Sequence, residues 1–108
     1  MKYAFFGTPQ FAKIVLEKLV AAGHIPSVVV TNPDKPVGRK KIITAPPVKK
    51  LIYDLEFAIQ DKIKILQPEN TLDLKSEILN LQSDFAVVAA YSKIIPKEII
   101  DSFKLGII

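Results

Sequence analysis

Cysteine is absent from the 108-residue chain, and histidine occurs once, at His24. Without cysteine the protein has no disulfide scaffold and no thiolate metal site, and its composition fits a reducing compartment. One imidazole without a second argues against a zinc site or a histidine-based catalytic site. We assign His24 no catalytic role, because at a predicted helix end it is explained by a favourable interaction with the helix dipole.

Long apolar runs are missing as well. No segment approaches the roughly 20 apolar residues that a membrane helix needs. Met1-Lys2 leads directly into an apolar segment of strand length, which is not the pattern of a secretory signal. With 49% apolar and 24% charged residues, we expect one globular domain at most, soluble and cytoplasmic, with no membrane partner.

Glycine is scarce, with four residues in the chain. The dinucleotide-binding fingerprint needs three glycines within six residues, whereas residues 7–12 contain one. Gly7-Thr8-Pro9 instead predicts a tight strand-to-helix turn. In one interpretation, the backbone N–H groups of this turn and the helix dipole face a bound anion. In the other, the turn connects strand and helix and holds no ligand.

Positive charge is concentrated in one stretch, the basic segment (residues 31–50). It holds six of the fifteen basic residues, four of the eight prolines and one of the eleven acidic residues. Proline removes backbone freedom and Gly38 permits a turn, so the segment is typical of a semi-rigid, presented loop. Such local basicity favours an anionic partner with phosphate groups.

The cluster Arg39-Lys40-Lys41 has two interpretations. It forms charge-assisted bonds to phosphates, with Arg39 gripping two oxygens, and the following Ile42 and Ile43 wedge against the partner. Alternatively, the cluster is a solvated loop whose isoleucines pack back on the domain.

Strands and helices alternate along the rest of the chain, which predicts an α/β fold. The fold class is a Rossmann-like three-layer sandwich with an open, mostly parallel sheet, and Phe85–Ala90 is its central strand. Thr8 is predicted to cap the first helix, Pro9 to open it, and Phe11 to share its buried stripe. The predicted strands are 3–6, 25–30, 63–66, 85–90 and a start at 105–108; the predicted helices begin at Pro9, at Pro46-Pro47, at Asn70 or Thr71, and at Pro96.

The segment Tyr91 to Pro96 follows the predicted central strand, at the edge where parallel sheets bind ligands. It lines a pocket for a flat heterocycle, or it is a connecting loop whose isoleucines cap the core. Further along, the sequence stops at an apolar strand start. We therefore expect a piece of a longer protein, truncated at the start of the fifth strand, which self-associates through that sheet edge.

Four separated motifs carry a family resemblance that covers essentially the whole chain. In order and spacing they resemble the N-terminal part of the formyltransferase domain of methionyl-tRNA formyltransferases. The basic segment is the most specific of them, because other folate-dependent formyltransferases generally lack such an insertion. The motifs are FGTPQFA from Phe6, TNPDKPVGRKK from Thr31 with a trailing PPVK, LQP from Leu66, and DFAVVAAYSKIIP from Asp84 followed by LGII.

The resemblance implies transfer of a formyl group from 10-formyltetrahydrofolate to the methionine amino group of initiator Met-tRNA, without a metal. It places residues 1–108 in the formyltransferase domain of a monomeric parent, leaves the C-terminal barrel outside the chain, and puts the catalytic Asn-x-His and Asp beyond Ile108. No catalytic residue then lies within the chain, which is expected to be inactive alone. By resemblance, the residues that contact tRNA are Lys35, Arg39, Lys40 and Lys41; those of the folate pocket are Tyr91, Ser92, Ile94, Ile95 and Pro96; and those of the active-site floor are Gly7, Thr8 and Pro9.

Two residues depart from the family pattern: Ser92 and Lys40 each stand where a glycine is usual. Ser92 puts a left-handed backbone there in doubt, and Lys40 adds charge but stiffens the loop. Two alternative functions stay open: another folate-dependent formyltransferase that acts on a purine or sugar amine, and a non-enzymatic nucleic-acid-binding module.

Overall fold

The structure is a computed structural model that describes residues 2–70, 77–78, 83–91, 93 and 95–108. Strands β1, β2, β5 and β6 form a parallel sheet in the order β5-β2-β1-β6, while β3 and β4 form a separate antiparallel hairpin. The strands are β1 Tyr3–Gly7, β2 Val28–Val30, β3 Lys35–Val37, β4 Ile42–Thr44, β5 Lys64–Leu66 and β6 Phe85–Ala89; the helices are α1 Gln10–Ala21, α2 Pro47–Asp54, α3 Phe57–Gln60 and α4 Lys97–Ile100.

Helical segments cover both faces of the sheet, which confirms the three-layer prediction. Alternate residues of β1 point to opposite faces, so Phe5 packs with α1 and α2 while Phe6 packs with α4 and the turn after it. Both rings are fully buried. The four strands are parallel, and β1 and β2 are buried along their whole length, as their continuous apolar sequences predict. In β5, at the edge of the sheet, Lys64 is exposed.

Strand β6 has a neighbour on each side. It pairs with β1 along its whole length, and Ala86 forms a parallel bridge to Ile107 on the other side. The fifth strand predicted at 105–108 therefore begins beside β6, and β6 is interior as predicted. Strand β2, by contrast, starts at Val28 rather than Ile25, because Pro26 has no N–H to donate to a ladder.

The start of α1 differs from the sequence prediction. The helix begins at Gln10 with Pro9 as N-cap residue, and no side chain caps it. The Thr8 hydroxyl instead accepts a hydrogen bond from the backbone N–H of Asn32 at 3.2 Å. Phe11 is 62% exposed, because the buried stripe runs through Ala12 and Leu16 and Phe11 falls outside it.

The end of α1 has the predicted glycine signal. Gly23 has a φ of +89°, and its N–H donates to the carbonyl of Val20. The N–H of His24 donates to the carbonyl of Leu19, which completes the pattern of a Schellman motif. The His24 carbonyl accepts a hydrogen bond from the Tyr3 hydroxyl at 2.7 Å. Burial raises the pKa of Tyr3 to about 12, so this donor keeps its proton at neutral pH.

The remaining helices follow the sequence in part. Helix α2 begins at Pro47, as the Pro46-Pro47 pair predicts, and α4 begins at Lys97 after Pro96. The short helix α3 has no counterpart among the predicted helices. The helix predicted from Asn70 or Thr71 lies mostly outside the described residues.

Candidate functional site

The carboxyl ends of β1, β2 and β6 meet at one edge of the sheet and open into a cleft. This central cleft has a volume of 440 Å³ and is lined by residues close after the three strands and by the first residue of β3. Open parallel sheets bind ligands at this edge, so the topology makes the cleft the first candidate site. Its lining consists of Thr8, Pro9, Asn32, Lys35, Ala90 and Tyr91.

The turn Gly7-Thr8-Pro9 forms one wall of the central cleft. Gly7 lies against Ala12 and the backbone of Ala89, where a β-carbon would find no room. The Thr8 hydroxyl bonds to the backbone of Asn32 and lies 3.4 Å from the Thr31 hydroxyl. These contacts join the end of β1 to the end of β2 and fix the floor of the cleft.

Tyr91 forms part of the opposite wall. Its ring meets the buried Phe6 ring edge to face, with 5.5 Å between centroids, so the side chain is held from the core side. Ala90, just before it, adopts a φ of +55°, a left-handed conformation rare for a residue with a β-carbon. The chain therefore turns sharply out of β6 at the cleft.

A second cleft, the proline cleft, lies between the start of α1, the hairpin and the start of α2. It has a volume of 360 Å³ and shares Thr8, Pro9, Asn32 and Lys35 with the central cleft, so the two clefts adjoin along these four residues. Lys50 adds a second cation to its lining. Apolar walls with two cations suit a ligand that has both a flat apolar part and an anionic part.

The basic cluster forms the tip of the β3–β4 hairpin, where the sequence predicts a loop. The turn comprises residues 38–41, with a φ of +76° at Gly38 and +52° at Lys41. Arg39, Lys40 and Lys41 are exposed to solvent. A two-stranded ribbon carries these cations away from the sheet, so they are presented together.

Ile42 and Ile43 do not pack back on the domain. They are 61% and 64% exposed, respectively, on β4 beside the basic turn. The interpretation of a solvated loop with packed isoleucines is therefore wrong for these side chains. The hairpin presents cations and adjoining apolar surface together, a combination suited to a partner with phosphates and flat bases.

Asp34 links the root of the hairpin to the domain. Its carboxylate accepts hydrogen bonds from Gln67 Nε2 at 2.7 Å and from Lys49 Nζ at 3.1 Å. These bonds, first that from Gln67 and then that from Lys49, hold the pKa of Asp34 below its ordinary value. An ion pair thus joins Asp34, directly before β3, to Lys49 on α2.

The predicted folate-pocket residues have different positions. Tyr91 lines the central cleft. Ile95 packs against the core beneath the sheet, and Pro96 is the N-cap residue of α4. Ser92 and Ile94 lie outside the described residues.

Asn32, Lys50 and Gln67 are site residues that the sequence does not identify. Gln67 directly follows β5 and Asn32 is the second residue after β2, and this position next to a strand end is the signal that could have marked them. Lys50 gives no such signal, because its place at the cleft depends on how α2 packs against the hairpin.

No group of three or more histidine, cysteine, aspartate or glutamate side chains is placed to hold a metal among the described residues. In the same ranges, no helix is long and apolar enough to cross a membrane.

Comparisons with known proteins agree along the whole chain. A family model described as formyl transferase matches residues 1–108. The methionyl-tRNA formyltransferases of Fusobacterium nucleatum and Ruminiclostridium cellulolyticum are 48% and 46% identical, respectively, over 110 residues, covering 100% of this chain and 33% of each relative. That of Bacillus subtilis is 42% identical over 109 residues, covering 99% of this chain and 32% of its own length. The chain thus spans about a third of the length of these curated relatives.

A solved structure shares the fold. Phosphoribosylglycinamide formyltransferase from Bacillus halodurans superposes with a TM-score of 0.62 at 13% identity, covering 99% of this chain and 54% of that one. The likeness confirms the α/β architecture predicted from the sequence. The family-model match over residues 1–108 shows that the chain belongs to the formyl transferase family.

Proposed function

We propose that the chain is the N-terminal part of the formyltransferase domain of a cytoplasmic, monomeric methionyl-tRNA formyltransferase. The observation that carries this proposal is the basic hairpin, which stands beside a cleft at the carboxyl edge of a formyl transferase fold. The C-terminal barrel lies outside these 108 residues in this proposal. The reaction transfers a formyl group from 10-formyltetrahydrofolate to the amino group of methionine on initiator tRNA, a step of translation initiation.

The transfer is an acyl transfer. The neutral amine attacks the formyl carbon, and a tetrahedral oxyanion forms. The oxyanion collapses, the bond from that carbon to the folate nitrogen breaks, the attacking amine loses a proton and the departing folate nitrogen gains one. His24, the chain's one imidazole, lies at the end of α1, away from the central cleft. The resemblance to methionyl-tRNA formyltransferases implies that the catalytic Asn-x-His and Asp lie beyond Ile108, and we expect the isolated chain to be inactive.

We assign the folate donor to the central cleft. Tyr91 offers a ring and a hydroxyl there, and Thr8 and Pro9 form the facing floor. Because β6 ends at the cleft, the segment from Tyr91 to Pro96 is suited to contact a flat heterocycle. Ser92 and Ile94 belong to the same proposed folate contact. Ile95, which packs against the core, and Pro96, the N-cap residue of the last helix, are assigned to the support of this segment.

We assign tRNA to the hairpin. Arg39, Lys40 and Lys41 meet backbone phosphates, and Ile42 and Ile43 contact the bases or sugars next to them. Lys35, which lines both clefts, stands between the hairpin tip and the proposed folate site. A strand end bound along this line reaches the central cleft.

Replacing Arg39 with alanine tests the assignment of the hairpin. The measurement uses a chimera in which this chain replaces the matching third of the Bacillus subtilis relative. We expect the KM for Met-tRNA to rise by about 10-fold, because bidentate bonds to phosphate are lost, while the KM for the folate stays unchanged. Lys18→Ala removes an exposed cation on α1 and serves as the control. Equal losses for both substrates would instead indicate misfolding and count against the assignment.

The isolated chain is expected to self-associate through its sheet edge. Leu105 and Ile108 are 56% and 76% exposed, respectively, next to the start of a strand that pairs with β6 on one side. An apolar, uncovered edge favours pairing with a second copy. Light scattering at high concentration should show dimers or larger species, and Ile108→Lys should reduce them. A strictly monomeric chain under these conditions would contradict this expectation.

A further inference from the structure

The hairpin joins the domain at a cluster of three side chains, Asp34, Lys49 and Gln67. Asp34 lies directly before β3, Lys49 on α2, and Gln67 directly after β5. Gln67 Nε2 donates to the Asp34 carboxylate at 2.7 Å and to the Asn32 carbonyl at 3.1 Å. One amide group thus contacts the chain on either side of Pro33, where the hairpin begins.

Lys49 forms an ion pair with the same carboxylate. Its Nζ lies 3.1 Å and 3.3 Å from the two Asp34 oxygens, so the contact uses both of them. The Lys49 side chain is 15% exposed and lies 5.8 Å from the centre of the Tyr53 ring. An isolated surface ion pair contributes little, but here one partner is largely shielded and the carboxylate also accepts a bond from Gln67.

The hairpin has few other means of keeping its direction. Strands β3 and β4 pair with each other and form a sheet separate from the main one. Residues 34–43 are all exposed. The angle between hairpin and domain is therefore set where the chain enters and leaves it, and Asp34 stands at the entry.

We propose that Asp34 is a positioning residue: bonded to Lys49 and Gln67, it fixes the direction of the hairpin so that Arg39, Lys40 and Lys41 meet the phosphates of one RNA backbone together. This inference rests on the proposed function of the hairpin. A pre-oriented cation cluster binds more tightly than a mobile one because less conformational freedom is lost on binding. Asp34, an acidic residue, therefore strengthens binding to an anion.

Asp34→Asn makes this proposal testable, because losing a negative charge and losing the positioning of the hairpin change the RNA affinity in opposite directions. Removing a negative charge next to a nucleic-acid site should tighten binding if charge alone matters. If Asp34 positions the hairpin, the affinity for a short RNA stem-loop should fall, by about 5-fold, because the order of the hairpin is lost. The measurement is fluorescence anisotropy with the 108-residue chain carrying Ile108→Lys, which limits its self-association, at fixed salt concentration.

Glu77→Gln is the matched control. Glu77 pairs with Lys64 at 3.4 Å, at the amino end of β5, whereas Gln67 follows its carboxyl end. The control makes the same change in net charge and also breaks an ion pair. It should leave the RNA affinity unchanged or slightly raise it. Gln67→Ala adds a variant without a charge change, and it should weaken binding as Asp34→Asn does.

A second readout needs no RNA. Heteronuclear NMR relaxation of the Arg39, Lys40 and Lys41 amides reports the order of the hairpin tip, and we expect faster internal motion in Asp34→Asn and Gln67→Ala than in Glu77→Gln. Unchanged motion in both variants would overturn the positioning role. Looser tips with unchanged RNA affinity would overturn it too, because the bonds would then be structural only.

A different result would count against the proposed function of the hairpin without deciding the positioning role of Asp34. If the unmodified chain and a variant with alanine at all three tip cations bind RNA equally well, the hairpin is not the nucleic-acid contact. The relaxation data still decide whether Asp34 orders the hairpin in that case. Tighter binding of Asp34→Asn than of the unmodified chain would show that charge alone governs this surface.

Discussion

Replacing Gly7 with alanine is expected to destabilise the fold by on the order of 3 kcal/mol, because overpacking a rigid site typically costs about 1–3 kcal/mol and this site is closed on two sides. The added β-carbon would lie 2.6 Å from the Ala12 β-carbon and 2.7 Å from the Ala89 carbonyl oxygen. Neither is the far end of a flexible side chain. A domain of this size has roughly 5–15 kcal/mol of stability in total, so urea denaturation should show a clear loss.

Gly23→Ala is the control for the Gly7 variant. Gly23 has a φ of +89° but open space around its α-carbon, so alanine there meets conformational strain and no steric overlap. Its cost should be about 1 kcal/mol. A Gly7→Ala variant as stable as Gly23→Ala would show that the turn has room to adjust. Adding Ala12→Gly to Gly7→Ala should restore part of the stability, since it removes the shortest of three close contacts, less the roughly 1 kcal/mol that glycine costs within a helix.

The Gly7 position also matters for the central cleft. The close approach of Gly7 to Ala12 and Ala89 brings the start of α1 and the end of β6 together at the sheet edge. Thr8 and Ala90, the next residues along each segment, line the cleft from these two sides. A bulkier residue at position 7 would therefore separate the walls of the cleft as well as weaken the core.

The parallel sheet could be predicted from local sequence because its strands are continuous apolar runs. Val28–Val30 and Phe85–Ala89 have no polar residue to place on an outer face, so burial on both sides is the one arrangement that suits them. Pro46-Pro47 and Gly23 likewise mark helix ends through backbone constraints of their own. These features depend on the residues themselves more than on distant partners.

The features that the sequence does not reveal depend on contacts between distant segments. Threonine is a common helix-capping residue, but the Thr8 hydroxyl instead accepts a hydrogen bond from the backbone N–H of Asn32, which is 24 residues away. Asp34 meets Gln67 across 33 residues, a contact that no local pattern indicates. The hairpin escapes prediction for a different reason: β3 contains Pro36, and proline argues against a strand unless the strand lies at an edge.

The candidate site also combines features that the sequence predicts with features that depend on distant contacts. The position of the basic cluster after β2 was predictable, because it follows from strand order and the chain's charge distribution. The exposure of Ile42 and Ile43 could not be decided from the sequence, since packing back on the domain was equally compatible with their side chains. Spacing alone also gave no reason to expect that Lys35 lies between two adjoining clefts.

Exchanging the acceptor is expected to change the activity of the chimera more than any single substitution does. The chimera joins this chain, with its hairpin and clefts, to the part of the Bacillus subtilis relative that lies outside the match. If the hairpin and the cleft edge form the proposed nucleic-acid and folate surfaces, the chimera should keep the relative's acceptor. The isolated chain, assayed alongside, should show no transfer.

The central claim is therefore tested most directly by one formyl-transfer assay with the chimera, 10-formyltetrahydrofolate and three acceptors offered separately: initiator Met-tRNA, a purine-precursor amine and a sugar amine. We predict formylation of the methionine amino group on Met-tRNA and no product with the two small amines, because they lack the phosphate backbone that we propose Arg39, Lys40 and Lys41 contact. Formylation of either small amine without formylation of Met-tRNA would contradict the account.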